Sequence, residues 1–163
     1  MPAFLSPTEN LQLNFGKVLK GTTKVESFTV KGENLKGNVN LAITGPTASR
    51  FKVNPSTITS ANAMRGVEVT VLYSAIALGT HDAQLEITGG GVEESITIPL
   101  WGATCDRGDG NADGIIDVED VNSLINIILG LEPNDAFRVY DMNGDGLVDV
   151  EDVNGLINII LKL

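Results

Sequence analysis

The chain has 163 residues, 42% hydrophobic and 20% charged, which is enough for one ordinary domain or two small ones. No run approaches the ~18–20 apolar residues that cross a bilayer as a helix, so no membrane insertion is expected, and the single cysteine, Cys105, excludes an internal disulfide. The net charge of −10 is local: residues 1–104 carry eight acidic and eight basic side chains, whereas residues 105–163 carry thirteen acidic against three basic. Phosphates would be repelled by that segment, so nucleic acid is not an expected partner.

In chain order, residues 11–15, 25–30, 39–43, 67–71, 85–87 and 96–98 alternate apolar with polar side chains. Period two means one buried and one wet face, the pattern of a β-strand. Turn signals separate the runs at 32–34, 45–46, 54–56, 78–80 and 89–91. Six or seven short strands in about a hundred residues predict an antiparallel β-sandwich over 1–104. Its residues offer little catalytic chemistry. His81 is the only histidine and is expected in a surface or turn position. Glu93-Glu94 reads as a solvated hairpin pair, and residues 32–37 lack the Lys-Ser/Thr of a phosphate loop. Trp101 is expected to pack at a domain interface, and Cys105 to be a buried small residue. The chain is not expected to be an enzyme.

Past Trp101-Gly102 the pattern changes, and 105–163 is expected to be a second domain. Residues 109–131 and 141–163 align at an offset of 32, with 17 of 23 positions identical. Each copy opens with an acidic loop. Calcium loops of the EF-hand kind take oxygen ligands from positions 1, 3, 5, 7, 9 and 12, with glycine at 6 for the sharp turn. The first copy supplies Asp109, Asn111, Asp113, Gly114, the Ile115 carbonyl, Asp117 and Asp120. The second supplies Asp141, Asn143, Asp145, Gly146, the Leu147 carbonyl, Asp149 and Asp152. Asp stands at position 12 in both, where Glu is usual. An all-oxygen, anionic set suits a hard cation of flexible geometry, so two Ca²⁺ ions are expected, and zinc has neither Cys nor His placed for it. The segment is expected to fold with metal and to loosen without it.

Each loop runs into a predicted helix, capped by Asp117 or Asp149, with Gly130 ending the first. Residues 133–140 are expected to form one short connecting helix. On a helical wheel the apolar arc spans about 200°, wider than the stripe of a little over 100° that an amphipathic helix buries. Val121, Leu124, Ile125 and Ile128 are expected to pack against Val153, Leu156, Ile157 and Ile160. Val118 and Leu129, with Val150 and Leu161 in the copy, are left as a strip beside Glu119, Asn122 and Asn126, suited to a partner.

The paired D-x-N-x-D-G-x-x-D-x-x-D loops, each followed directly by a helix and lacking an entering helix, resemble type I dockerins. That resemblance implies calcium-dependent binding of a cohesin domain, assembling secreted carbohydrate-active enzymes or surface proteins in cellulosome-like complexes. It assigns partner contacts to Val118, Glu119, Asn122, Ile125, Asn126 and Leu129, and to their copies Val150, Glu151, Asn154, Ile157, Asn158 and Leu161. Near-identity of the copies further implies two docking orientations related by 180°. The contact face is more apolar than the Ser/Thr or Lys/Arg choices of many members.

Residues 13–16, 28–35, 51–55 and 98–102 resemble Ig-like modules of bacterial surface and secreted proteins. The expected fold is therefore two domains, an all-β Ig-like sandwich and a small α dockerin that packs near it, with the sandwich as spacer or stabiliser. The expected location is extracellular or on a bacterial cell surface, although the first residues show no secretory-signal pattern. Two rivals differ in class: a calcium sensor that exposes its strip only when loaded, and an adhesin fragment whose sandwich binds carbohydrate or protein.

Overall fold

The computed structural model describes residues 2–7 and 10–163. Two sheets form. One is four-stranded in the order β1 (Phe4–Ser6), β3 (Thr23–Glu33), β7 (Val67–Ser74), β5 (Phe51–Asn54). The other is five-stranded in the order β2 (Leu13–Leu19), β9 (Ile96–Cys105), β8 (Gly79–Gly89), β4 (Val39–Thr44), β6 (Thr57–Ile58). The pairs β1–β3, β5–β7, β4–β8 and β4–β6 are antiparallel. Alternation explains their faces: Val69, Val71 and Tyr73 of β7 and Ala83, Leu85 and Ile87 of β8 are buried while their neighbours are not. Phe15 of β2 meets Phe51 of β5 and Tyr73 of β7, each at a ring-centroid distance of 5.6 Å. Tilted aromatic contacts of this kind join the two sheets.

The expected fold class needs correction. The chain is mostly β, with two curled sheets and only about 22% helix, and its longest helix is α4 (Val150–Leu161). The first hundred residues are not all-β: α1 (Ser60–Arg65) starts where the Thr59 hydroxyl accepts the Asn62 N–H and stops at Gly66, whose φ of 85° a side chain would resist. The unit that holds the acidic loops is not purely helical. Strand β9 runs without a break to Cys105, and the compact unit holding the acidic loops comprises Gly16–Thr23, Ala75–His81 and Gly102–Leu163. The composition boundary at 104 marks a change of charge. It does not mark an end of strand. His81, expected at the surface, is buried, because β8 turns it inward with Ala83 and Leu85.

Within that second unit the core is mixed. Leu124 of α2 (Val118–Ile128), Leu156 of α4, and Val139 and Tyr140 of the short α3 (Phe137–Tyr140) are fully buried together with Ala103 and Cys105 of β9. Leu19 of β2 packs against the same cluster. Main-chain bonds lace the unit: Lys20 N–H to the Cys105 carbonyl at 2.9 Å, and Gly108 N–H to the Val139 carbonyl at 2.9 Å. The helix seam is narrower than the sequence suggests. Val121, Leu124, Val153, Leu156 and Ile160 enter it with Ile127, but Ile125, Ile128 and Ile157 stay exposed, while Ala136, Val139 and Tyr140 join the cluster.

This packing sets a measurable contrast between adjacent residues. Leu156→Ala leaves a cavity in a sealed cluster and is expected to cost about 2–5 kcal/mol, whereas Ile157→Ala is expected to cost less than about 1 kcal/mol. Urea unfolding at saturating calcium, followed by helical circular dichroism, reads both; equal costs would place Ile157 in the core.

Candidate metal centre

Each loop is a succession of side-chain-to-backbone turns written by its Asp and Asn residues. In the first, Asn111 Oδ1 accepts the Asp113 N–H at 2.9 Å, and Asp113 Oδ1 accepts the Ile115 N–H at 2.8 Å. Asp109 Oδ2 accepts the Gly114 N–H at 3.1 Å, across a chain reversal that needs the positive φ of Gly114. The second loop repeats this: Asn143 to Asp145 at 2.9 Å, Asp145 to Leu147 at 2.8 Å, Asp141 to Gly146 at 3.2 Å. Ile115 and Leu147 leave their side chains in solvent.

Positions 9 and 12 join loop to helix. Asp117 caps α2 by accepting the Glu119 N–H at 2.8 Å, and Asp149 caps α4 through Glu151 at 2.8 Å. Asp120, fully buried, accepts three N–H groups: Gly110 at 2.9 Å, Asn111 at 3.2 Å and Asp117 at 3.0 Å. Asp152, also fully buried, accepts Met142 at 2.7 Å, Asn143 at 3.4 Å and Asp149 at 2.9 Å. The carboxylate at position 12 therefore fastens the first turn of its loop to the helix N-terminus. Asp has the length to do so from the first helical turn, which gives its presence there a structural reason.

Among the described residues no three His, Cys, Asp or Glu side chains converge as a metal-holding group. Part of each expected ligand set is Asn and main-chain oxygen, and much of the carboxylate capacity is turned to loop N–H groups. One atom is unprovided for. Asp109 is 2% exposed, and its Oδ1 is buried without a hydrogen-bond partner. Burial raises the Asp109 pKa, against the Gly114 hydrogen bond that lowers it, and Asp120 beside it raises it further. A buried carboxylate oxygen with no donor needs a counter-charge. The orphaned oxygen of loop one thus suits a hard cation, which Asp109, Asn111, Asp113, the Ile115 carbonyl, Asp117 and Asp120 would hold; in loop two the matching Asp141 Oδ1 accepts the Gly144 N–H at 2.7 Å. Such an ion would neutralise carboxylates that otherwise repel one another.

Residues the sequence reading passed over make the two copies interlock. A Cβ at Gly110 would overlap the Tyr140 ring, so loop one has glycine where loop two has Met142. Met142 in turn lies over Gly155, where the first copy has Ser123. These are among the few positions at which the repeats differ, and that divergence was the available signal. The Arg107 guanidinium donates to the Asp141 carbonyl, tying the approach of loop one to the start of loop two. Burial raises the Tyr140 hydroxyl pKa; Ser123, the side chain that counters this, completes no hydrogen bond with it.

Beyond the loops, Val118 and Leu129 of the first copy are 64% and 65% exposed, and Val150 and Leu161 of the second 66% and 60%. Ile125 and Ile157 are also exposed, as are Glu119, Asn122, Glu151, Asn154 and Asn158, while Asn126 is half-buried. Spacings of 4, 3 and 4 from Val118 through Asn122 and Ile125 to Leu129 put these on one side of the helix.

Residues 107–161 match the dockerin type I domain. Type I dockerins bind calcium, and dockerin domains bind cohesin domains and occur in secreted or cell-surface proteins. No curated protein matches the chain. Among solved structures it is similar to a family 123 glycoside hydrolase from Clostridium perfringens (11% identity, TM-score 0.42, 64% of this chain and 27% of that one). Another is the CupB2 chaperone of Pseudomonas aeruginosa (13%, 0.40, 63% and 56%), and a third is domains 5-6 of the S-layer protein SbsC (20%, 0.36, 65% and 46%). The chain spans between about a quarter and just over half of those chains. No helix among the described residues is long and apolar enough to cross a membrane.

Cys105 lies in the core of the unit that holds the acidic loops and is expected to report on whether calcium supports that core. Its thiol is fully buried, and burial pushes its pKa up to about 12. The reactive thiolate is therefore scarce at pH 8 and inaccessible. Iodoacetamide is expected to leave Cys105 unmodified in calcium buffer and to modify it readily in excess EDTA. Equal rates, read by mass spectrometry, would separate the core from the loops.

Proposed function

We propose that this chain is a non-catalytic assembly module of the cell exterior, whose dockerin segment binds two Ca²⁺ ions and docks through an exposed helix face onto a cohesin domain of a scaffold or surface protein. The observation that carries this is the apolar strip left in solvent beside a core that is already full. Val118, Leu129, Val150 and Leu161 are mostly exposed although Leu124, Leu156 and Tyr140 seal the helix seam. Removing Val and Leu side chains from water is worth about 1.5–3 kcal/mol each when complete, and a partner supplies that burial. A strip already outside needs no opening of the helices, which favours constitutive docking over a sensor. The acidic loops serve as braces that fix the two faces. The β-rich unit, in this reading, is a spacer.

Calcium-dependent pull-down with purified cohesin domains tests the proposal, alongside the double variant Val118→Asp, Val150→Asp. Both substitutions fall in the first helical turn, where an added carboxylate suits the helix N-terminus, so the fold is expected to persist. Binding is expected to fall at least about 100-fold with calcium affinity unchanged, as for truncation of a central interface pair. Undiminished capture would move the contact away from these helices.

A further inference from the structure

Among the described residues, two buried side-chain polar atoms have no hydrogen-bond partner: Asp109 Oδ1 and the Tyr140 hydroxyl. One is an acceptor without a donor, and the other is a donor without an acceptor. They belong to the same place. The Tyr140 ring and hydroxyl stand over Gly110, the residue next to Asp109, and leave no room for a side chain there. The Gly108 N–H donates to the Val139 carbonyl at 2.9 Å, which fixes this part of α3 against the approach to loop one. Burial is the main cause that raises the Tyr140 pKa, and the charges of Asp120, Glu132 and Asp109 add to it against Ser123, so the hydroxyl lies within their field. A phenol sealed from water without a partner is costly, and phenylalanine would fill nearly the same volume without that cost. Tyrosine at 140 therefore calls for an acceptor.

Resting on the calcium reading above, we infer that Tyr140 is a positioning residue for the metal centre of loop one, its hydroxyl donating to the Asp109 carboxylate and orienting that ligand. Carboxylates that hold a metal are themselves held by outer hydrogen bonds of this kind. Asp120 is the weaker acceptor, because it already takes three main-chain N–H groups. Tyr140 directly precedes Asp141, the first residue of loop two. Loop one is thus completed by a residue at the threshold of the second copy. The relation is not returned. At the repeat offset of 32, Gly108 is the counterpart of Tyr140, and Asp141 Oδ1 accepts the Gly144 N–H of its own loop at 2.7 Å.

Calorimetric titration of calcium into the chelator-stripped full chain tests the inference. Tyr140→Phe keeps the ring over Gly110 and removes only the hydroxyl. It is expected to weaken one of two ions about tenfold or more and the other less than about twofold, the loss that follows removal of an outer partner. Circular dichroism at saturating calcium is expected to match the parent, and Ser123→Ala is expected to leave both affinities within about twofold. A hydroxyl that is merely unpaired predicts unchanged or tighter binding in Tyr140→Phe, which would overturn the inference. Equal weakening of both ions, or the same loss in Ser123→Ala, would overturn it too. Should Tyr140→Phe fail to fold, the tyrosine Raman doublet of Tyr73→Phe decides, since Tyr140 is then the remaining tyrosine. A strong donor in calcium buffer supports the inference, and a hydroxyl that donates to nothing defeats it. A parent chain that binds no calcium would remove the calcium reading itself, whereas two ions undisturbed by Tyr140→Phe would remove this inference alone.

Discussion

The arrangement depends on what happens to two carboxylates removed from water. Asp120 and Asp152 are fully buried, and each accepts three main-chain N–H groups that join the first turn of a loop to the start of a helix. These bonds hold each carboxylate to the main chain at the loop–helix junction. Asp109 adds a third buried carboxylate, with one oxygen unprovided for. Thirteen acidic side chains against three basic ones in residues 105–163, with Lys17 and Lys20 near Asp135 and Asp106, leave the loops short of positive charge, which a bound cation would supply.

The rest of the second unit follows from that constraint. Loops braced in this way deliver α2 and α4 at fixed starting points, and Leu124, Leu156, Val139 and Tyr140 close the space between them with Ala103 and Cys105. The core is then complete without the outer rows of either helix. Two of the six differences between the copies sit where the copies touch: Gly110 under Tyr140, Met142 over Gly155. The helices themselves, buried and outward rows alike, differ only at Ser123 and Gly155 from Val118 to Leu129 and Val150 to Leu161.

Much of this was legible in the sequence because its signals were local. The strand alternation lies inside β2, β3, β4, β7, β8 and β9; Asp117 and Asp149 do cap their helices; Gly130 follows α2 with a positive φ; and a short helix does occupy part of 133–140. The errors came from long-range packing, which a linear pattern does not carry. Nothing in the run from Trp101 to Cys105 announced that β9 would pass the charge boundary and line the helix cluster. Ile125, Ile128 and Ile157 share a spacing with true core residues, yet they stay exposed while Ala136, Val139 and Tyr140, distant in the spacing pattern, complete the cluster. The helix α1 depends on a Thr59 cap in a stretch dominated by strand residues, and His81 is drawn inside by strand register alone.

The central claim, that metal compensates the buried carboxylates, is tested most directly by counting. Calorimetric titration of calcium into the chelator-stripped full chain is predicted to show two ions bound per chain, with binding coupled to a gain of helical signal. A chain that keeps its full helical signal and takes up no calcium would show that the hydrogen bonds of the loops suffice alone, and would contradict the account.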